Sequence, residues 1–283
     1  MSGGVLILTG QTASGKSALA MELAERFGAE IVGADSRQIY RGMPIGTTAP
    51  SEADLVRVPH HLVGFLDPRE RYSAARFVAD ALAAIEGIHA RGRRAIVVGG
   101  TGFYVRALAG DVALSPAYDA SIRERLAREA RVHPPDALAE WLRALAPARA
   151  AAIAPNDPYR VTRALEIALA ERAIARNEDS ASANATADAD VSANASVSGS
   201  GGGSGAKRHD ARAGNAENLR TRGIPFRKLY LQIEPGELER RIGARVDAML
   251  ANGLLDEAER IGADAVAADA VGYREALAYL AGW

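Results

Sequence analysis

Along the first third of the chain, short apolar runs alternate with stretches whose apolar residues recur every three or four positions. VLILT (Val5–Thr9) reads as a buried strand. KSALAMELAERFG repeats Leu19, Leu23 and Phe27 at helical spacing and stops at Gly28. AEIVGADS predicts a second strand closing at Asp35, and RRAIVVGGTG a third that enters a Gly-rich turn. Between these two, RYSAARFVADALAAIEGIHARG predicts a helix capped by Ser73, with Phe77, Ala81, Leu82, Ile85 and Ile88 turned inward. Strands and helices in alternation imply a parallel sheet with helices on both faces, an α/β fold. Ligands of such sheets sit at the carboxyl ends of the strands, which would bring Gly10–Ser17, Asp35 and Gly99–Gly102 to one crevice.

From Ala113 to Arg176 the alternation gives way to helical periodicity alone, in DASIRERLAREARVH, PDALAEWLRALAP and NDPYRVTRALEIALAERA. Asp157 suits the cap of the last helix and Pro158 its first position. Residues 113–176 therefore read as a small all-α insertion domain. Asn177 to Asn218 offers no aromatic residue, and Val191 and Val197 are its only sizeable aliphatics. So little burial cannot offset ordering entropy, and 177–222 is read as a disordered low-complexity insert. FRKLYLQIEP resumes strand alternation at Leu229, Leu231 and Ile233. GELERRIGARVDAMLANG follows as a helix with Leu238, Ile242 and Met249 inward and Arg241 and Arg245 on one side. Residues 1–112 and 224–283 would then form a single core domain.

Composition narrows the chemistry. The chain has no cysteine, which excludes disulfides and thiolate metal sites. Val5–Leu8 is too short for a signal-peptide core, and no run approaches the ~18 apolar residues of a membrane span. A cytoplasmic protein with no membrane partner is expected. The net charge of −1 points to no nucleic-acid partner overall. Yet Lys207 to Arg245 holds 10 basic residues against 5 acidic ones, either a phosphate-backbone footprint or a solvated face.

GQTASGKS (Gly10–Ser17) fits the phosphate-cradling pattern GxxxxGK[ST] between a strand and a helix, the context that the motif needs. Backbone N–H groups of Thr12, Ala13, Ser14 and Gly15 would converge on a diphosphate at the positive end of the helix dipole. Lys16 adds a point charge, and the Ser17 hydroxyl is placed for a phosphate-bound Mg²⁺. P-loop phosphoryl-transfer enzymes usually carry an acid after a further apolar strand, but here that strand ends VVGGTG. The acid stands instead at Asp35. One carboxylate there suits deprotonating an acceptor as well as it suits Mg²⁺, so these residues alone leave kinase and transferase level.

GQTASGKS, GADSRQIYRGMPIGT, PHHLVGFLDPRERYSAARF, VGGTGFYVRAL, PNDPYRVTRALEI and VGYREAL occur in the order and spacing of the bacterial tRNA dimethylallyltransferases, the tRNA isopentenyltransferase family, which this chain resembles from Val5 to Leu280 outside the insert. The resemblance implies a P-loop NTPase-like fold turned to prenyl transfer. The dimethylallyl group of dimethylallyl diphosphate would move to N6 of the adenosine 3′ of the anticodon in tRNA. It implies catalytic roles for Asp35, Thr101 and Arg245, with diphosphate held by Gly10 and Thr12 to Ser17. It implies tRNA contacts from Asp35, Ser36, Arg37, Gln38, Thr101, Arg123, Tyr159, Arg160, Arg163, Tyr273 and Arg274, in a monomer. Three departures stand out. Gln11 replaces the usual Pro, and Asp269 lies where members carry Arg or Gln before VGY. The chain stops at Trp283, short of a further basic helix of the family. The alternatives to an active transferase are thus a truncated remnant that binds diphosphate or RNA with little turnover, and a P-loop kinase or adenine-nucleotide prenyltransferase.

Overall fold

The computed structural model describes residues 3–114, 120–191 and 217–282. The chain divides into two compact units, Met1–Leu114 with Asn215–Trp283, and Ser115–Gly214. In the first, strands β1 (Val5–Gly10), β2 (Ala29–Gly33), β3 (His60–His61), β4 (Arg94–Val98) and β5 (Phe226–Leu231) form a parallel sheet in the order β3-β2-β4-β1-β5. Its helices are α1 (Lys16–Phe27), α2 (Pro44–Thr47), α3 (Glu52–Arg57), α4 (Ala74–Ala90) and α5 (Gly102–Ala109). The second unit holds α6 (Ala120–Val132), α7 (Pro135–Leu145), α8 (Pro147–Ala151) and α9 (Pro158–Val191). The chain then returns to the first unit through β5 to α10 (Pro235–Ala251), α11 (Leu254–Ile261), a 3₁₀ turn (Val266–Asp269) and α12 (Tyr273–Leu280).

Strand alternation sorts the core into two layers. Val5, Ile7, Val32, Ala95 and Val97 pack with Phe77, Ala81, Leu82, Ile85 and Ile88 of α4 and with Tyr104, Val105 and Leu108 of α5. Leu8, Ile31, Ile96 and Val98 face the other way, onto Ala20 and Ala24 of α1. The inward set expected for α4 is buried, and the Ser73 hydroxyl accepts from the Arg76 N–H as its cap. On α1 the buried stripe is Lys16, Ala20 and Ala24, with Leu19 and Leu23 beside it. Phe27 is exposed instead of inward, with Arg26 and Arg94 stacked over its ring. Small residues let this helix lie close on the sheet where the leucine spacing had suggested a bulkier face.

The reading of 177–222 as structureless needs correction at both ends. The α9 backbone continues to Val191, through a stretch whose many alanines favour helix even without a core face. Leu219 is fully buried with α5 and donates its N–H to the Leu108 carbonyl, while Ile224 closes a turn back onto Leu219. Residues 192–216 lie outside the described residues, and with them Lys207, Arg208 and Arg212. Of the remaining basic residues, Arg220 and Lys228 pair with Asp111, Arg222 with Glu86 and Glu217, and Arg240 and Arg241 with Glu237. Much of the basic excess is therefore spent on intramolecular ion pairs.

β5 and α10 also depart from expectation. Neither contains a buried residue; Leu229 and Ile242 are exposed, and Ile233 lies beyond the strand. In the second unit, Leu126, Leu138, Leu142, Val161 and Leu165 form a separate helical core, and Asp157 caps α9 by accepting from the Arg160 N–H. Among the described residues no helix is long and apolar enough to cross a membrane.

Candidate active site

The carboxyl ends of β1, β2 and β4 open onto a cleft of about 320 Å³. The phosphate loop forms one wall. Two of its residues adopt left-handed backbone, Ala13 at φ 61° and Gly15 at φ 87°, the second serving as the N-cap of α1. A non-glycine residue at φ 61° is strained, and such strain persists where the fold over-determines the turn. Gly10 lets β1 approach β5, since a Cβ there would come within 2.3 Å of the Leu231 carbonyl oxygen. The buried Lys16 ammonium donates to the Gln11 carbonyl at 2.5 Å and to the Ser14 hydroxyl at 3.4 Å. An ammonium carries three protons, so one remains for a phosphate oxygen.

Asp35 and Arg245 face the loop across this cleft. Asp35 closes β2, and its Oδ1 accepts from the N–H groups of Arg37 (2.9 Å) and Gln38 (3.3 Å). The described residues give its Oδ2 no hydrogen bond. Burial lowers the Lys16 pKa, opposed by attraction to Asp35 and reinforced by repulsion from Arg245. Burial likewise lowers the pKa of Arg245, with Asp35 opposing. Two cations and a carboxylate thus share a confined space with the phosphate loop. That field suits an anion of high charge which touches the cations while a proton acceptor stands nearby.

Thr101 caps α5 outside the cleft lining. Its hydroxyl accepts from the Ser36 N–H at 2.9 Å and donates to Ser36 Oγ. Gly99 permits this meeting: a Cβ there would lie 2.0 Å from the Ala34 carbonyl oxygen. Gln38 lines the cleft and donates its Nε2 to the carbonyls of Thr47 and Thr48, both at 3.0 Å. Ser17 is exposed at the cleft. No group of three or more His, Cys, Asp or Glu residues suited to a metal occurs among the described residues. A divalent ion at the exposed Ser17 hydroxyl would take its other ligands from phosphate oxygens and water, the sparse protein coordination that Mg²⁺ favours.

Apolar residues complete the wall: Ile31, Val63, Val98 and Pro50, with the edge of His60. Burial lowers the pKa of His60, whose Nδ1 is 2.8 Å from the Val58 carbonyl. Thr47, Thr48, Pro50 and His60 were not singled out from the sequence. Their only signal was membership of GMPIGT and PHHLVGF, beside the strand ends.

The other expected site residues lie elsewhere. Arg37 forms an ion pair with Asp269 at 2.6 Å. Arg274 is exposed beside Glu275. In the helical unit, Arg123 and Arg163 both approach the buried Glu166, at 3.7 and 2.9 Å, while Tyr159 and Arg160 are exposed at the start of α9. Tyr273 corrects the expectation of a tRNA contact. It is fully buried, with its phenol donating to Glu257, and burial raises its pKa strongly. A side chain without exposure cannot touch RNA in this structure.

Comparison with known proteins agrees with this geometry. Two family models match, IPP transferase over residues 38–283 and isopentenyl transferase over residues 3–63. The tRNA dimethylallyltransferase of Halorhodospira halophila is 39% identical over all of this chain and 82% of its own length. That of Geobacter metallireducens is 40% identical over 98% of this chain and 80% of its own. The crystal structure of the full-length tRNA isopentenylpyrophosphate transferase of Bacillus halodurans superposes with a TM-score of 0.57 at 32% identity, covering 99% of this chain and 78% of that one. A eukaryotic dimethylallyltransferase acting on tRNA gives a TM-score of 0.63 at 28% identity, over 92% and 56%. With the family model spanning most of the chain and relatives near 40% identity along its whole length, this protein belongs to the IPP transferase family, the tRNA dimethylallyltransferases.

Proposed function

We propose that the protein transfers the dimethylallyl group of dimethylallyl diphosphate to N6 of the adenosine 3′ of the anticodon in tRNA, releasing diphosphate. The observation that carries this reading is the cleft, where Asp35 stands opposite the phosphate loop together with Lys16 and Arg245. The loop amides from Thr12 to Gly15, Lys16 and Arg245 bind the diphosphate and neutralise it as the allylic C–O bond breaks. The adenine amine is a weak nucleophile because its lone pair is delocalised into the ring. As its nitrogen bonds to the allylic carbon, Asp35 Oδ2 takes the proton. The two amide bonds to Oδ1 hold the carboxylate in one orientation. A divalent ion, which we take to be Mg²⁺ on Ser17, would add charge neutralisation when bound.

The target amine is stacked in the anticodon loop, so the adenosine has to be extruded to reach Asp35. Exposed Tyr159, Arg160 and Arg274 are suited to backbone and base contacts, as are Arg123 and Arg163 once Glu166 has set their direction. Thr101 acts by fixing Ser36 beside Asp35. The protein works as a monomer, and with tRNA as acceptor the reaction belongs in the cytoplasm. The test is incubation with unmodified tRNA and labelled dimethylallyl diphosphate. Label should appear in adenosine. Rapid ATP hydrolysis without tRNA, and no label, would return the kinase reading.

A further inference from the structure

Glu257 is the least explained charge in the molecule. It is fully buried on α11, on the stripe that also carries Leu254, Ala258 and Ile261 into the core. A lone buried carboxylate is costly, and this one is satisfied by three donors. The N–H groups of Ile45 (3.0 Å) and Gly46 (2.8 Å) donate to its two oxygens, and the Tyr273 phenol donates to Oε1. All the backbone donors come from one place, the first turn of α2.

The other end of that turn faces the cleft. The Thr47 carbonyl accepts from Arg245 Nη2 at 3.3 Å and from Gln38 Nε2, which also reaches the Thr48 carbonyl. Thr48 lies in the left-handed region at φ 51°, a strained conformation for a β-branched residue. Gly46 packs so tightly on Tyr273 that a Cβ would fall 2.5 Å from its ring. A short strained turn is therefore clamped from below by Glu257 and Tyr273. Above, it offers two carbonyls to the two cleft side chains that have no strand or phosphate loop to orient them.

We infer that Glu257 is a positioning residue for the reaction: through the Pro44–Thr48 turn it aims Arg245 and Gln38 into the diphosphate cleft. The inference rests on the reading of that cleft as a diphosphate site. It ties α11 and α12, which contribute no residue to the cleft lining, to the orientation of one of its two cations.

The test is a double-mutant cycle on the full chain, with inorganic diphosphate as the calorimetric probe. Glu257→Gln keeps the shape but cannot accept from both N–H groups, so diphosphate affinity should drop about ten-fold, the scale of one misaligned charge-assisted hydrogen bond. In an Arg245→Ala background the same change should cost less than about two-fold, because the cation through which it acts on the anion is gone and Gln38, uncharged, adds little. Leu254→Ala, a core truncation on the same helix, supplies a destabilised control whose diphosphate affinity should stay within about two-fold of wild type. If Glu257→Gln does not fold, Glu257→Asp, charged but one methylene short, takes its place in the cycle with the same expectation. Equal losses with and without Arg245 overturn the inference, as does a matching affinity loss in Leu254→Ala. A wild type that binds diphosphate and shows the coupling, yet labels no tRNA, would remove the transferase reading and leave the positioning role standing. A wild type that binds no diphosphate would remove both.

Discussion

In the proposed reaction, Asp35 concentrates the chemistry in one side chain. With Oδ1 held by two backbone N–H groups and the residue lining the cleft, the carboxylate needs little reorganisation to accept a proton. Asp35→Ala should cut turnover by on the order of 10²-fold or more, with modest change in tRNA and diphosphate affinity. Asp35→Asn, similar in shape but a far weaker base, should be nearly as impaired, and single-turnover transfer assays would decide. An Asn variant with near-full turnover would reduce Asp35 to a binding role. Lys16 carries a pH signature. Burial outweighs the pull of Asp35 and sets its pKa below the ordinary 10.5. Diphosphate binds the ammonium, so affinity should be full at neutral pH and fall as pH rises through that lowered value. Lys16→Arg, charged throughout, should flatten the titration. Identical alkaline profiles for the two proteins would show that another group titrates.

Among the elements, the 3₁₀ turn before α12 places an acidic side chain, Asp269, beside one of the expected tRNA-binding cations. Asp269 pairs with that cation, Arg37; the carboxylate is largely exposed and the arginine partly so. An exposed pair contributes about 0–1 kcal/mol, enough to hold Arg37 aside without locking it. Asp269→Asn should therefore tighten tRNA binding by about two- to five-fold at low salt, the equivalent of such a pair. The gain should vanish in an Arg37→Ala background, as filter binding across a salt series would show. Much of the element layer was readable beforehand. The phosphate loop announces itself because its glycines and Lys16 stand at fixed offsets between a strand and a helix. The α4 face announces itself because large aliphatics repeat along it. Glu257 did not, although it occupies a core position of the Leu254–Ile261 stripe: on a periodic helix a glutamate reads as solvent-facing unless its buried partners are known. Tyr273 hid for the matching reason, a polar atom whose partner lies on a different helix. β5 misled through its alternation and α10 through its helical spacing, which promised buried faces where the structure leaves Leu229 and Ile242 exposed.

For the whole molecule, composition located the segment with little to bury but not its limits, because alanine extends a helix without any core and Leu219 is a single anchor in polar company. Replacing residues 192–216 by a short Gly/Ser linker should change stability by less than about 1 kcal/mol, since loop closure depends weakly on length. Chemical denaturation would check this. A steep, salt-dependent loss of tRNA affinity on the same deletion would instead reveal Lys207, Arg208 and Arg212 as an RNA arm. The order of the sheet has a consequence for the protein's synthesis. β1 leaves the ribosome before the other four strands but lies between β4 and β5, and Val5 pairs with residues as remote as Ala95 and Phe226. Its second neighbour does not exist until the entire helical unit has been translated. Contacts of such separation form slowly. The nascent chain must carry an apolar, half-paired strand until β5 has been made, and its phosphate loop, which directly follows β1, has to wait equally long for a finished sheet beneath it.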